Sequence, residues 1–145
     1  SITVGAVDGG DKVASFSGSG KSLDVPAPGV SLFSAWTGTG YATATGTSMA
    51  TPIVSATISL IKYQNPTYSV TQVRDALVNT AKDLGKRGFD TNYGYGRIDV
   101  YSAVNYVTGS GGSSEPYNEK GKHKYFFLFL IYNKITKFNI ICCII

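Results

Sequence analysis

The heptapeptide Gly46-Thr47-Ser48-Met49-Ala50-Thr51-Pro52 places a serine directly before a long apolar run. A serine that opens a helix carries its hydroxyl outside the helical ladder, and the unpaired amides of the first turn point to where an oxyanion would form. The chemistry this permits is acyl transfer with Ser48 as nucleophile. Gly46 allows close approach of a substrate, and Pro52 falls early enough in the helix for its missing donor to matter little. A Gly-Thr-Ser run taken alone also describes an ordinary helix cap, so the spacing by itself leaves both readings open.

A serine hydroxyl is a poor nucleophile until a histidine takes its proton and a carboxylate orients that histidine. The single histidine is His123, beyond a Gly/Ser-rich stretch. The two cysteines, Cys142 and Cys143, are neighbours and cannot close a loop between distant segments, so neither a disulfide framework nor a CxxC metal site is present.

The elements that must position Ser48 can be read from periodicity and turn chemistry. Residues 1–7, SITVGAV, are a β-branched apolar run closed by Asp8-Gly9-Gly10, which predicts a strand and turn in a parallel sheet. Pro26 and Pro28 in VPAPGV remove backbone donors, so a rigid connector is expected there rather than a sheet interior. Residues 30–37 and 41–45 flank Gly38-Thr39-Gly40 and predict a hairpin that delivers the chain to Gly46. From Ser48 to Tyr63 the chain is apolar or small nearly all round, as in a buried helix. Its Thr, Ile and Val content makes a buried strand the rival, but length favours helix and Asn65-Pro66 supplies the stop. Ser69-Val70-Thr71-Gln72 has capping-box spacing and predicts a second helix to about Ala81. Its apolar positions are Val73, Ala76, Leu77 and Ala81, with Arg74, Asp75 and Lys82 facing water. Gly94-Tyr95-Gly96-Arg97 reads as a turn, and residues 98–107 as a third helix capped by Asp99 and ended by Gly109.

Composition bounds the function classes. With 145 residues, 43% hydrophobic and 15% charged, the chain fits one globular domain rather than a disordered segment. The net charge of +4 does not imply an anionic partner, because Lys120, Lys122, Lys124, Lys134 and Lys137 all follow Gly112. No basic stripe interleaved with aromatics is present, so nucleic acid is not an expected partner. Domain boundaries are expected at 1–109 for the globular part, 110–124 for a flexible linker, and 125–145 for an apolar, Lys/Asn-containing tail. Asn133, Lys134, Lys137 and Asn139 interrupt that tail before it reaches the roughly twenty apolar residues of a membrane span. A membrane anchor, an added strand or interaction tail, and a non-native extension compete for it, with the extension favoured. The first methionine is Met49, so Ser1 is not expected to be a native translation start, and the lack of a signal peptide is uninformative.

Taken together, these residues resemble the subtilisin-like serine proteases. GTSMATP is similar to that family's serine motif, in which a strand ends at a glycine and the nucleophile opens a buried helix. ITVGAVD, SFSGSG and LDVPAPGV resemble its strand and loop segments in the same order, and TQVRDALVNTA and YGYGRIDVYSAV resemble its last two helices. The resemblance covers residues 1–107 and implies an α/β fold, the C-terminal portion of a doubly wound, mostly parallel sheet with helices on both faces. It implies a secreted endopeptidase that cleaves polypeptides through an acyl-enzyme at Ser48, without a catalytic cofactor. Ser48's own amide would be one oxyanion donor, with Thr47 assisting; Phe16 and Met49 would border the substrate on the leaving-group side, and Gly46 would let it approach closely. Phe16 and Met49 equally suit a plain core.

Asp24 matches a carboxylate that in relatives helps hold a structural cation, calcium or sodium, although a turn aspartate bonding its own backbone fits as well. Ile53 stands where the family usually has histidine, and Ser55-Ala56 where it has Ala-Gly, differences that concern packing. The family's order is Asp, His, Ser, which puts His123 on the wrong side of Ser48. The triad partners and the asparagine oxyanion donor would come from the N-terminal part of the peptidase domain, the implied partner of this chain. Alternatively the chain is an inert fragment, or a pseudoenzyme that only binds peptide.

Overall fold

The computed structural model describes residues 1–107. Its elements are β1 (Val4–Val7), β2 (Val25–Pro28), β3 (Leu32–Ala35), β4 (Tyr41–Ala44), α1 (Thr47–Gln64), α2 (Val70–Asn79) and α3 (Val100–Val104). The predicted linker and tail, with Gly109, His123, Cys142 and Cys143, lie outside the described residues. Two units are distinguished by their internal contacts, one comprising residues 1–33 and 43–107, the other including residues 34–42.

β1 and β2 pair in parallel, Ala6 opposite Ala27. The Val25–Pro28 segment is therefore a strand, not the connector expected from its prolines. The reason is the two-residue period of a strand. Val25 and Gly29 donate to Thr3 O and Val7 O at 3.3 and 3.0 Å, whereas Pro26 and Pro28 occupy the intervening positions and have no donor to lose toward β1. On the opposite edge the Pro26 carbonyl accepts from the Ile98 amide at 3.0 Å. The strand core is small and fully buried: Ala6, Val7, Val25 and Ala27 are each at 0% exposure.

β3 and β4 form the predicted two-stranded hairpin. Trp36 N donates to Gly40 O at 3.0 Å, and Gly38 takes the positive φ of 80° that its turn requires.

α1 packs across β1 and β2. Ala50, Val54, Thr57 and Ile61 form its buried stripe, while Thr51, Ser55, Ser59 and Lys62 are exposed, so within the described residues the helix is amphipathic rather than apolar all round. The β-branched and hydroxyl residues are accommodated because their hydroxyls bond back one turn: Thr57 to Ile53 O at 2.8 Å and Ser59 to Ser55 O at 3.1 Å. α2 has the full capping box, with Ser69 N donating to Gln72 Oε1 at 2.8 Å and Gln72 N to Ser69 Oγ at 3.3 Å. It ends at Asn79, ahead of Ala81, and buries Val73, Ala76 and Leu77. α3 packs on both α1 and α2 and is shorter than expected. Ile98 is held by Pro26, so helix starts only after Asp99, whose carboxylate caps Ser102 N at 2.9 Å.

Between α2 and α3 the chain makes a loop closed at Lys82 and Arg97 by reciprocal backbone bonds of 2.8 and 2.9 Å. Asp11 braces this neck. It accepts from Lys82 Nζ at 2.9 Å. Arg97 Nε stands 2.6 Å away without in-line hydrogen-bond geometry, so that attraction is one of charge. Hydrogen bonding from Lys82, opposed by partial burial and aided by the charges of Arg97 and Lys82, holds the Asp11 carboxyl below its ordinary value. Inside the loop Asp90 accepts from the amides of Asn92, Tyr93 and Lys86 at 2.7, 2.9 and 3.1 Å. Burial raises its pKa, but those amides together more than reverse the effect and leave it below 3.8.

Gly94, at φ 58°, is a tight point of the loop: a Cβ there would fall onto the carbonyl oxygens of Asp24 and Leu23. Gly88, at φ 79°, has open space where a Cβ would be. Gly88→Ala should therefore destabilise by the left-handed backbone term alone, about 1–2 kcal/mol. Gly94→Ala should exceed it by more than ~1 kcal/mol through overlap, as read by urea denaturation. A depressed carboxylate contributes stability that is complete above its ordinary pKa and disappears as pH falls through the folded value. The thermal midpoint should accordingly drop below pH 3.8, and Asp90→Asn should remove part of that acid slope, leaving the part due to Asp11, in melts taken from pH 5 to pH 2.

Candidate active site

The start of α1 is set by consecutive backbone bonds. Gly29 N donates to Val7 O at 3.0 Å, and Gly46 N donates to Gly29 O at 2.8 Å, so the end of β1, the residue after β2 and the helix N-cap are tied in series. Beside this, Ser31 N donates to Thr45 Oγ1 at 2.8 Å. Gly46 is the N-cap residue, with extended backbone at φ 160° and no side chain to cap the helix. Ser48 is thus the second helical residue rather than the cap, which removes the ordinary capping reading of this serine.

Ser48 is exposed, and among the described residues its hydroxyl has no hydrogen-bond partner. The amides of Thr47 and Ser48 also lack an acceptor among the described residues, while Met49 N turns back to Gly46 O at 3.0 Å. Free N–H groups at a helix start carry the positive end of the macrodipole and stabilise negative charge beside them. Thr47 is half-buried, and its carbonyl accepts from Thr51 Oγ1 at 3.0 Å. Pro52 is the sixth residue of α1, deeper than expected, and deletes the intrahelical bond that the Ser48 carbonyl would have received.

The other predicted residues are placed as follows. Met49 is half-buried in the same turn, with Sδ 3.5 Å from where a Gly46 Cβ would be. Phe16 is 46% exposed, in the turn after Ala14. Its neighbour Ser17 accepts from Ala6 N at 3.0 Å, which ties that turn to β1. Gly46, Thr47, Ser48 and Met49 are therefore brought together by one helical turn, and Phe16 belongs to a separate turn.

Asp24, expected as a cation ligand, has its carboxylate engaged by two groups of the chain. It is 8% exposed. Oδ1 accepts from Arg74 Nη2 at 2.6 Å and Oδ2 from Thr3 N at 2.8 Å. Both oxygens are engaged, and a guanidinium at that distance opposes any second cation, so the residues present do not fit the expected calcium or sodium. Nor does the carboxylate bond its own turn. Arg74, expected in water, is instead half-buried against it. Its pKa is raised first by Asp24 and then by Tyr95, whose ring centroid is 5.6 Å from the guanidinium carbon. No cluster of three or more His, Cys, Asp or Glu that could hold a metal occurs among the described residues.

Two features were not found by sequence reasoning. The Asp24–Arg74 pair spans 50 residues, and only the surplus of one acid inside an apolar stretch hinted at it. Gly29 was passed over as the end of a connector. Yet a Cβ there would stand 2.7 Å from Ala6 Cβ, 2.9 Å from Gly46 O and 3.4 Å from Ala50 Cβ.

Comparison with known proteins agrees with this geometry. The profile of the Subtilase family matches residues 1–96. Subtilisin BL and subtilisin Savinase, both from Lederbergia lenta, are 43% identical over 103 residues, 71% of this chain and 37% of each relative. A subtilisin from Bacillus pumilus is 47% identical over 103 residues, 71% of this chain and 36% of the relative. Among solved structures, a crystal structure of MycP1 with the N-terminal propeptide removed matches with a TM-score of 0.66 at 28% identity, covering 76% of this chain and 38% of that one. The chain belongs to the subtilase family, and its α/β fold is the one the residues implied. It spans a little over a third of the length of these relatives.

Arg74→Met leaves the Asp24 charge buried with only the Thr3 amide, and should destabilise by about 2–3 kcal/mol. Adding Asp24→Asn removes the buried charge and should recover part of that loss, with both variants read by chemical denaturation against the parent.

Proposed function

We propose that this chain carries the nucleophile of a serine endopeptidase, with Ser48 as the acylated residue. The observation that supports it most directly is an exposed, unpartnered Ser48 hydroxyl in the first turn of α1, beside the free amides of Thr47 and Ser48. In the proposed reaction Ser48 Oγ bonds to the carbonyl carbon of a polypeptide and gives its proton to a base. The oxyanion is held by the Ser48 amide, with Thr47 assisting. Collapse breaks the C–N bond, the amine leaves with the proton returned by the base, and water then hydrolyses the ester. No cofactor enters these steps. Met49 and Phe16 are proposed to border the leaving-group side of the substrate, and Gly46 to let it approach closely.

Residues 1–107 contain no histidine to act as the base. The base and its orienting carboxylate are proposed to come from the N-terminal part of a subtilase domain, the partner this chain needs. Secretion is proposed from the family resemblance; among the described residues no helix is long and apolar enough to cross a membrane. With His123 as its one histidine, placed after Ser48 where the family's order puts the base before it, the 145-residue chain alone is read as a catalytically inert piece that retains at most peptide binding.

The full-length protein that contains this chain should react with a fluorophosphonate at Ser48, and Ser48→Ala should abolish labelling. Full labelling of Ser48→Ala would remove the assignment. The 145-residue chain alone should leave casein intact, and turnover that Ser48→Ala abolishes would contradict the inert reading.

A further inference from the structure

We infer that Gly29 is a positioning residue for the Ser48 reaction, one that sets the first turn of α1 by having no side chain. The inference rests on the reading of Ser48 as nucleophile and goes on to ask what holds that serine and its two amides in place.

Ser48 lies between two residues that meet Gly29. On one side Gly46 donates its amide to Gly29 O at 2.8 Å. On the same side the Gly46 carbonyl passes 2.9 Å from where a Gly29 Cβ would be, and on the other side the Ala50 Cβ passes 3.4 Å from that point. The first contact is closer than real Cβ atoms approach a carbonyl, so any larger residue at 29 forces a displacement. The direction of that displacement follows from what each neighbour is tied to. Ala6, 2.7 Å from the same point, is fixed in β1: its amide donates to Ser17 Oγ at 3.0 Å, its carbonyl accepts from Ala14 N at 3.0 Å, and it is registered against Ala27. The helix start is tied to the strands through Gly29 itself: Gly46 N bonds Gly29 O, Met49 N turns back to Gly46 O within the same turn, and the amides of Thr47 and Ser48 are free among the described residues, so it follows Gly29 when Gly29 shifts. Strain introduced at position 29 therefore moves Gly46 to Ala50 and carries Ser48 with them. Gly29 touches no reacting atom; it acts through Gly46. Its backbone has no positive φ that would demand glycine, so the requirement is one of space.

The two close contacts can be separated by mutation. Gly29→Ala creates both overlaps, and adding Ala6→Gly relieves the one with β1 while leaving the one with Gly46 O. In the full-length protein, Gly29→Ala should lower the melting temperature and slow fluorophosphonate acylation of Ser48 by on the order of 10²-fold, as expected for a displacement near 1 Å. Ala6→Gly in the same chain should recover much of the melting temperature and little of the acylation rate, with the pH dependence of acylation unchanged. Acylation that recovers in step with stability, or a single variant that acylates like wild type, overturns the inference. Should neither variant fold, hydrogen exchange in the wild type decides. The Gly46 amide should exchange as slowly as the amide of Val54 in the helix core, and exchange orders of magnitude faster overturns the inference. A wild-type protein left unlabelled overturns the reading of Ser48 and this inference with it, whereas a labelled wild type with unchanged variants overturns this inference alone.

Discussion

Backbone-to-backbone contact between the end of β2 and the start of α1 is the constraint on which the candidate site depends. A parallel strand pair gives its terminal residue a fixed height and direction, because both strands are pinned by the same ladder of bonds. Here that residue is Gly29, bonded to Val7 on one side and Gly46 on the other. The helix thus begins at a place defined by the sheet rather than by its own propensity, which is modest for a segment rich in Thr, Ile and Val. The absence of a capping side chain at Gly46 follows the same logic. An N-cap serine or aspartate would satisfy the first amides and stabilise the helix. Leaving them free keeps them available to an anion from outside.

The rest of the described chain secures that junction from a distance. α1 buries Ala50, Val54, Thr57 and Ile61, small or β-branched residues that permit close packing where the helix crosses β1 and β2. Behind it, Asp24 gathers the Thr3 amide, Arg74 of α2 and, through its carbonyl, the Tyr95 amide at 2.8 Å. One residue just before β2 therefore connects the chain start, the second helix and the turn at Gly94. A buried carboxylate with two such partners fixes mutual orientation more than it adds net stability, since removing two charges from water offsets much of their attraction.

Much of this was legible in the residues. The capping box at Ser69 and Gln72, the hairpin around Gly38, the cap at Asp99 and the helix after Gly46 depend on short-range chemistry that a local pattern carries. The strand at Val25–Pro28 was misread because proline reports only a missing donor, not the side of the strand on which that donor would have been; the register against β1 decides it. The all-round apolar impression of α1 failed for a similar reason. Serine and threonine count as small and compatible with a core, but their exposure depends on which neighbours are present. Ser48 is proposed from its heptapeptide, whereas Gly29 and the Asp24–Arg74 pair are defined by neighbours far along the chain, where local spacing has no information.

The neck at Lys82 and Arg97 has a consequence for how this domain can vary. Two backbone bonds and Asp11 close the loop at its base, and Asp90 organises its interior without help from α2 or α3. The exposed stretch from Lys86 to Gly88 forms the tip of that loop, ahead of Phe89, whose ring packs edge-on against Tyr95 beside Arg74 of α2. Lengthening a loop that is already closed adds only about 0.6 kcal/mol of closure entropy per doubling. Natural insertions, or a grafted epitope or reporter peptide, would be tolerated at that tip while the scaffold bearing Ser48 kept its geometry.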